Sequence, residues 1–211
     1  MFNRLVIVGA GGHGKVIADI AIKIGYIDIV FIDDTAVGDC LGYPIVGTCE
    51  IIDRLDESRN DFVIAVGNNK IRRRIAEQHH RVNWVSLIHP SAQIGADVKI
   101  GAGTVIMANA VLNSCSTVGK HCIINTSSVI EHDNVLGDYV HISPKAALGG
   151  TVRIGDDTHI GIGAVVRNNI TVCGDCTVGA GAVVIKDITE SATYIGVPAK
   201  IMAIHKSNSR I

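Results

Sequence analysis

The sequence predicts two structural units: a small Rossmann-like α/β unit, then a parallel β-helix built from six-residue repeats. Three observations predict this. A glycine-rich turn joins a buried strand to a helix near the N-terminus. From Ile94 to Val184 an aliphatic residue recurs at every sixth position, and a small or β-branched residue follows most of these four positions later. We place the first unit at residues 1–88 and the second at residues 89–211.

The six-residue repeat predicts the fold of the second unit. An α-helix repeats about every 3.6 residues and a strand every second residue, so neither gives a strict period of six. A coiled parallel β-helix does, because one short strand lies on each of three sides and three repeats, 18 residues, complete a coil. The aliphatic series is Ile94, Ile100, Ile106, Leu112, Val118, Ile124, Ile130, Leu136, Ile142, Leu148, Ile154, Ile160, Val166, Val172, Val178 and Val184.

The second inward position of each repeat supports the same fold. It is occupied by Val98, Thr104, Ala110, Ser116, Cys122, Ser128, Asn134, Val140, Ala146, Val152, Thr158, Ala164, Ile170, Cys176, Ala182 and Ile188. Small and β-branched side chains suit the corners inside a narrow prism. Glycine often follows the aliphatic residue directly, as at Gly95, Gly101 and Gly119. We expect these glycines to permit turns with unusual backbone angles.

The N-terminal unit begins as strand, glycine turn and helix. Residues 4–9 predict a buried strand, and residues 15–24 have helical spacing. Between them Gly9, Gly11 and Gly14 form the pattern G-x-G-x-x-G, which lets backbone approach a phosphate at a helix N-terminus. The predicted substrate-binding residues of this turn are Gly11, Gly12 and His13. The alternatives are glycines that only allow tight helix–sheet packing and a histidine that is merely solvated.

Two further strands place polar residues at the same end of the predicted sheet. Strand 29–32 ends about 20 residues beyond the glycine turn, where a carboxylate can accept a ribose hydroxyl. Strand 62–66 precedes a Gly-Asn-Asn turn and a basic helix, and strand 84–87 leads into the prism without a flexible linker. The unit is about half of a full dinucleotide fold, so a mononucleotide or nucleotide-sugar fits better. The predicted contacts are Asp33, Asp34, Gly67 and Asn68.

Composition bounds the class of protein. The 211 residues are 47% hydrophobic and 18% charged, with a net charge of −1, so the chain can bury a core and offers no excess positive charge for nucleic acid. We find no signal-peptide pattern and no apolar stretch of membrane-spanning length, and expect a cytoplasmic protein without a membrane partner. Cys173 and Cys176 form C-x-x-C, but only Cys176 occupies an inward position. We therefore expect unpaired cysteines and no metal.

The length of one coil predicts which side chains stack. Residues 18 apart lie one strand spacing, about 4.8 Å, from each other. His132 then lies beside Gly150, and His141 beside His159, with Asn125 close to His141. Since His132 and His141 are half a coil apart, we expect them on opposite sides of the prism within one chain.

His132 and Asp133 follow the inward Ile130 at an outward corner. A carboxylate beside a histidine fixes its tautomer and favours the imidazolium, which makes this pair a candidate general base. Two solvated corner residues are the alternative.

Several segments spread over the chain resemble one family. They are Gly9–Lys15, Gly67-Asn68-Asn69, Ile88–Ala92, Ile124–Asp133, His141-Ile142-Ser143 and Gly196–Lys200. The chain resembles the bacterial sugar O- and N-acyltransferases of the left-handed β-helix class, most closely the PglD-like nucleotide-sugar 4-amino N-acetyltransferases. The resemblance implies a left-handed coil, acetyl-CoA as the co-substrate, and a homotrimer with active sites between its subunits.

The resemblance also implies roles for individual residues. His132 matches the general base, and Asp133 matches the acidic residue that supports it, which is glutamate in some members and one methylene longer. The N–H of Gly150 matches the group that contacts the acetyl carbonyl. Asn125 and His141 match residues that line the site, and because we expect both to face away from His132 within one chain, another subunit must supply them. The acetyl-CoA contacts predicted here are His141, Gly150, Ile162, Ala180, Pro198 and Lys200.

The predicted function is therefore acetyl transfer from acetyl-CoA to the 4-amino group of a nucleotide-linked amino-deoxy sugar, such as a UDP-2-acetamido-4-amino-2,4,6-trideoxyhexose. Three alternatives stay open. One is O-acetylation of a sugar such as a sialic acid, and another is N-acetylation of a GDP-4-amino-sugar such as perosamine. The third is a non-catalytic hexapeptide-repeat protein, either a scaffold or a γ-carbonic-anhydrase-like metal site. The histidines available for such a site are His121, His132, His141 and His159.

Overall fold

The computed structural model describes residues 3–202 and has the two units that the sequence predicts. The elements of the first unit are β1 (Arg4–Val8), α1 (Gly12–Lys23), β2 (Ile29–Ile32), β3 (Asp39–Cys40), β4 (Tyr43–Pro44), a 3-10 helix (Cys49–Arg54), β5 (Asn60–Ile64) and α2 (Asn69–Gln78). Strands β2, β1 and β5 form a parallel sheet in that order. The β3–β4 hairpin was not predicted.

Helices α1 and α2 cover opposite sides of this sheet. Leu5 and Ile7 of β1 pack in the cluster that contains α1, whereas Val6 and Val8 pack with α2, as the alternation of a strand requires. Gly14 lies where α1 meets the sheet, and a Cβ at this position would overlap the carbonyl oxygen of Gly9. The third glycine of the turn is therefore needed for close helix–strand packing.

The second unit is a prism of short parallel strands in three sheets, which we name the first, second and third faces. The first face contains β6 (Leu87–Ile88), β9 (Val105–Ile106), β12 (Ile123–Ile124), β15 (His141–Ile142), β18 (His159–Ile160), β21 (Thr177–Val178), β23 (Thr193–Ile195) and the antiparallel β24 (Lys200–Ile201). The second contains β7 (Gln93–Ile94), β10 (Val111–Leu112), β13 (Val129–Ile130), β16 (Ala147–Leu148), β19 (Val165–Val166) and β22 (Val183–Val184). The third contains β8 (Lys99–Ile100), β11 (Thr117–Val118), β14 (Val135–Leu136), β17 (Arg153–Ile154) and β20 (Thr171–Val172).

The strand registers confirm the predicted coil length. Val111 pairs with Val129, and His141 with His159, each 18 residues further along the chain. From Ile106 to Val184 every member of the aliphatic series is buried, and so is the second inward series from Thr104 onward. Ile94, in the first coil, is 40% exposed because no earlier coil covers it.

The expected role of the repeat glycines is wrong. Gly95, Gly101 and Gly119 do not have positive φ; the left-handed residue of each repeat lies two positions later, as at Asp97 and His121. A Cβ on any of these glycines would instead lie 2.4–2.6 Å from backbone of the next coil. Glycine is required there because neighbouring coils approach closely.

The cysteine pair also differs from expectation. Cys176 is buried as predicted. Cys173, which we expected to point away from Cys176, lies beside it, with the two Sγ atoms 3.3 Å apart. Both cysteines are free thiols.

The two units pack directly against each other, as the missing linker predicts. Leu87, Val105 and Ile123 of the first face join the apolar cluster that contains α1. The predicted strand 84–87 is wrong, because Trp84 forms a single bridge to Phe62 and the strand that begins at Leu87 already pairs within the prism.

A stack of rings joins α2 to the first coils. His121 stacks on Tyr139 at 5.3 Å and meets the edge of Trp84 at 5.5 Å, while the Arg73 guanidinium lies 4.2 Å from the centre of the Tyr139 ring. His121 is 5% exposed, and its Nδ1 has no hydrogen-bond partner in the described chain. Burial, followed by the charge of Arg72, lowers the pKa of His121 to about 4.

This histidine should make the stability of the protein depend on pH. Because the folded-state pKa is lowered from 6.5 to about 4, the unfolded chain binds a proton that the folded chain does not, and stability falls as the pH drops through that window. Between pH 7 and pH 5, His121 alone contributes a loss of roughly 2 kcal/mol. We expect His121→Phe, which keeps the ring stack, to remove about this much of the loss in urea unfolding at fixed protein concentration. His80→Phe, at an exposed position, is the control, and an unchanged pH dependence in H121F would contradict the assignment.

Neither helix within residues 3–202 combines the length and apolar character needed to cross a membrane.

Candidate active site

His132 and Asp133 lie at the corner between the second and third faces, which we name the second–third corner (residues 131–134 and 149–152). Asp133 is in the left-handed region, with φ 60°, and its Oδ2 lies 2.7 Å from Nδ1 of His132. Both side chains are more than half exposed. The carboxylate therefore holds the proton on Nδ1 and leaves Nε2 free to accept a proton.

Gly150 lies one coil further along the same corner. A Cβ on this residue would be 2.6 Å from Cε1 and Nε2 of His132, so only glycine leaves room for the imidazole in this position. The N–H of Gly150 makes no hydrogen bond within residues 3–202, whereas the next residue, Thr151, donates to the carbonyl of His132. The predicted stacking is confirmed: the Gly150 N–H and Nε2 of His132, neither of which has a hydrogen-bond partner among residues 3–202, lie close together.

The first face carries a second histidine group. His141 and His159 stack with ring centres 4.6 Å apart, as the coil length predicts. The Asn125 amide lies 3.1 Å from Nε2 of His141, and the Ser143 hydroxyl lies 2.7 Å from Nε2 of His159. Each imidazole is thus held by the polar residue that follows the preceding strand of the face.

The tautomer of His141 follows from these contacts. Asn125 Oδ1 accepts the N–H of Thr126, so its NH₂ group must face His141 and donate to Nε2. The imidazole proton then lies on Nδ1, which is buried, has no well-formed hydrogen bond in the described chain, and has the backbone of Gly67 close by. Burial and the neighbouring His159 lower the pKa of His141 to about 3, so it is a neutral donor near pH 7.

The glycine turn of the N-terminal unit approaches the same histidine group. Gly11 and Gly12 are exposed at the start of α1, which has no side-chain cap and no acidic residue in its first turn. His13 lies close enough to influence the pKa of His141, and its Nε2 is buried without a hydrogen-bond partner in the described chain. Burial, then Arg72, lowers its pKa to about 4. His13 is therefore not merely solvated.

Asp33 has a structural role that the sequence did not indicate. One carboxylate oxygen accepts the N–H of Ala10 at 2.8 Å, and the other accepts from Thr35 and Ala36. Burial alone would raise the pKa of Asp33, but these N–H groups lower it to about 2. Asp33 thus stabilises the glycine turn. A ribose hydroxyl bound to Asp33 would have to share carboxylate oxygens that already accept these hydrogen bonds. Asp34 is exposed and accepts the N–H of Cys49.

Gly67 and Asn68 precede α2, where Asn68 caps the helix by accepting the N–H of Ile71 at 3.0 Å. Both residues line a shallow cleft of about 160 Å³ between the two units, together with His159 and Thr177. The predicted substrate residues Gly67, Asn68, His13 and His141 are thus brought to one side of the molecule.

Two of the predicted acetyl-CoA residues, His141 and Gly150, belong to the groups described above, and the other four occupy two further places. Ile162 and Ala180 stack at the corner between the first and second faces (residues 125–128, 143–146, 161–164 and 179–182), which we name the first–second corner; Gly181 donates to the carbonyl of Ile162. Ile162 is 58% exposed. Pro198 and Lys200 line a separate cleft of about 300 Å³ at the last coil.

One chain therefore does not assemble the whole predicted site. His132, Asp133 and Gly150 lie at the second–third corner, whereas Asn125 lies at the first–second corner beside His141 of the first face. These are the two edges of the second face. Among residues 3–202 we find no group of three or more histidine, cysteine, aspartate or glutamate side chains arranged to hold a metal ion.

Sequence reasoning assigned no role to two residues near this site. Ser143 lies 18 residues after Asn125, so the stacking rule could have found it as the partner of His159. Arg72 lies within a run of three arginines and is 1% exposed, in helical phase with the buried Ile75 and Ala76.

Comparison with known proteins gives matches in both units. A family model described as the PglD N-terminal domain matches residues 4–79. A UDP-N-acetylbacillosamine N-acetyltransferase of Bacillus subtilis (strain 168) is 40% identical over 112 residues, which are 50% of this chain and 52% of that protein. The match thus spans about half the length of this curated relative.

Solved structures match over almost the whole chain. The acetyltransferase domain of PglB from Neisseria gonorrhoeae FA1090 is 42% identical, with a TM-score of 0.93 and coverage of 95% of this chain and 100% of that one. It has also been solved in complex with acetyl coenzyme A. A mutant of perosamine N-acetyltransferase from Caulobacter crescentus, in complex with CoA and GDP-perosamine, is 35% identical, with a TM-score of 0.91 and coverage of 96% and 98%.

Proposed function

The chain belongs to the PglD-like sugar acyltransferases of the left-handed β-helix class, which confirms the family and the fold class predicted from the sequence. On that premise we propose that it transfers the acetyl group of acetyl-CoA to the 4-amino group of a nucleotide-linked amino-deoxy sugar. The observation that carries the proposal is the second–third corner, where Asp133 orients His132 and the free N–H of Gly150 lies beside it. The solved complexes of the relatives with acetyl-CoA, CoA and an amino-sugar nucleotide support the same chemistry.

The proposed mechanism is direct transfer. The neutral sugar amine attacks the thioester carbonyl, and Nε2 of His132 accepts the proton that the nitrogen loses as the C–N bond forms. The N–H of Gly150 stabilises the negative charge that develops on the carbonyl oxygen. When the tetrahedral intermediate collapses, the C–S bond breaks and the proton on His132 passes to the leaving CoA thiolate. Asp133 stabilises the imidazolium between these two steps.

We also propose that the protein is a homotrimer. The outward positions of the second face are apolar at Val111, Val129, Ala147, Val165 and Val183, and Val165 is 42% exposed in the single chain. If three copies turn this face towards a threefold axis, the second–third corner of each copy meets the first–second corner of its neighbour. Such a trimer brings Asn125 and His141 of one subunit to His132 of the next.

The two substrates should then approach from different sides. The nucleotide-sugar lies with its phosphates near the exposed start of α1 at Gly11 and Gly12, and with its sugar towards His141. Acetyl-CoA lies in the groove between two prisms, past Ile162 and Ala180, and reaches Pro198 and Lys200 at the last coil. Both substrates are cytoplasmic metabolites, so we propose the cytoplasm as the site of action.

The main question about the substrate is which nucleotide, UDP or GDP, the amino sugar carries. UDP is supported by the curated relative that is named for UDP-N-acetylbacillosamine, and GDP by the solved complex with GDP-perosamine. Two of the relatives, the Bacillus subtilis protein and the Caulobacter crescentus enzyme, are named for N-acetylation, which favours an amine over a hydroxyl as acceptor.

The proposal is tested by release of free CoA from acetyl-CoA with UDP- and GDP-linked 4-amino sugars and with free sialic acid as acceptors. We expect a UDP-4-amino-sugar to give the highest kcat/KM. Turnover with GDP-perosamine alone would keep the reaction and change the nucleotide, whereas turnover with sialic acid alone would contradict the proposal.

A further inference from the structure

Arg72 is a buried cation at the junction of the two units. It is 1% exposed, and each of its five N–H groups has an oxygen acceptor. Nε donates to the carbonyl of His121 at 2.7 Å, Nη1 to the carbonyls of Val66 and Gly67 at 3.0 and 3.2 Å, and Nη2 to Asn69 Oδ1 and the Tyr139 carbonyl at 2.8 Å each. All five hydrogen bonds of this fork depend on the planar shape of the guanidinium.

No carboxylate is among these partners. Burying a charge without a counter-ion is costly, and packing alone could be achieved by an apolar side chain of similar volume. The hydrogen bonds instead join three separate pieces of chain: the 66–69 loop, which ends at the first residue of α2, and the prism coils at His121 and Tyr139. Arg72 therefore fixes the loop to the prism at two coils, and Asn69 adds a further bond to the Asp157 carbonyl at 2.8 Å.

The 66–69 loop is part of the proposed sugar site. Gly67 lies next to His141, and Gly67 and Asn68 line the cleft that also contains His159. After burial, the charge of Arg72 contributes to lowering the pKa of His13 and of His159. The same guanidinium that fixes the loop thus helps to keep the nearby imidazoles neutral.

We propose that Arg72 is a positioning residue for the nucleotide-sugar: it holds the 66–69 loop at a fixed distance from the histidines of the first face. This inference rests on the proposed function. Most of the predicted acetyl-CoA contacts (Gly150, Ile162, Ala180, Pro198 and Lys200) lie away from Arg72 and the 66–69 loop, and only His141 lies beside the loop. Loss of the guanidinium fork should therefore weaken binding of the nucleotide-sugar and leave binding of acetyl-CoA nearly unchanged.

The test compares Arg72→Lys with Arg74→Lys, an exposed arginine of the same helix. Lysine keeps the charge but cannot make the five-bond fork. We expect R72K to raise the KM for the nucleotide-sugar by about 10- to 100-fold, since a displacement near 1 Å has effects of that size. The KM for acetyl-CoA should change less than about twofold, and R74K should behave as wild type.

A second variant separates positioning from folding. Asn69→Ala removes one acceptor of Arg72 and the Asn69 bond to the Asp157 carbonyl, without removing the charge. We expect a smaller rise in the same KM, with a circular dichroism melting curve close to that of wild type. An unchanged nucleotide-sugar KM in both variants, or equal changes in both KM values, would overturn the role of Arg72. Wild-type protein that turns over none of the amino-sugar nucleotides would instead overturn the proposed function itself.

Discussion

Replacing His132 with alanine is expected to lower kcat by about 10²- to 10⁴-fold, the usual contribution of a positioned general base. The sugar amine must lose a proton as it attacks the thioester, and Nε2 of His132 is the free base at the second–third corner. Binding of both substrates should persist, because the predicted nucleotide-sugar and acetyl-CoA contacts lie largely on other residues. The effect should therefore appear in kcat rather than in KM.

Steady-state kinetics of H132A and of His80→Ala give the comparison, since His80 is an exposed histidine of the N-terminal unit. The kcat of Asp133→Asn should lie between those of the two alanine variants. Asparagine keeps a hydrogen-bond acceptor for Nδ1 of His132 but no longer stabilises the imidazolium. H132A turning over at a near-normal rate would remove His132 from the mechanism.

Placing a charge on the second face is the second change with a large expected effect. Val165 is an outward, partly exposed member of the apolar column that we assign to the trimer interface. Glutamate at this position would bury a charge without a partner in each of three copies, so Val165→Glu should sediment as a monomer. Because a monomer cannot bring His132 to Asn125 and His141, its activity should fall at least about 100-fold.

Thr171→Glu is the matched control, since Thr171 occupies the outward position of the next strand, on the third face. It should remain trimeric and active in analytical ultracentrifugation and kinetic assays. A monomeric V165E with wild-type kcat/KM would show that one chain contains the complete site.

The prism was predictable because its repeat is strict. Each aliphatic residue from Ile106 to Val184 is buried, and the strands from β6 to β22 pair at a separation of 18 residues. One period therefore predicted both the core and the stacking of this part of the prism. The glycines after the aliphatic residues show the limit of this reasoning. The sequence shows where glycine stands, but the cause, close approach of the next coil rather than positive φ, depends on three-dimensional spacing.

The N-terminal unit was predictable in outline only. Its three parallel strands and two helices follow from apolar runs and the glycine turn, but the β3–β4 hairpin has two-residue strands without a clear alternating pattern. Asp33 looked like a ribose ligand by its distance from the turn, whereas its oxygens accept N–H groups of the turn and of the following loop. Such local hydrogen bonds cannot be read from spacing.

The candidate site was also predictable only in part. The stacking of His132 with Gly150 and of His141 with His159 followed from the coil length and is present in the structure. The roles of these residues came from the resemblance and remain predictions. Arg72 could not be recognised as a link to the prism, because its partners are backbone carbonyls distant in sequence.

The central claim is that each active site forms between two subunits, and mixed trimers test it most directly. One variant, His132→Ala, lacks the base; the other, Asn125→Ala with His141→Ala, lacks the residues of the facing edge. Each alone should have little activity. In trimers coexpressed at equal amounts, about a quarter of the subunit boundaries would carry His132 from one chain and Asn125 with His141 from the next, so about a quarter of wild-type activity should return. Mixed trimers no more active than the two parent variants would contradict a shared site.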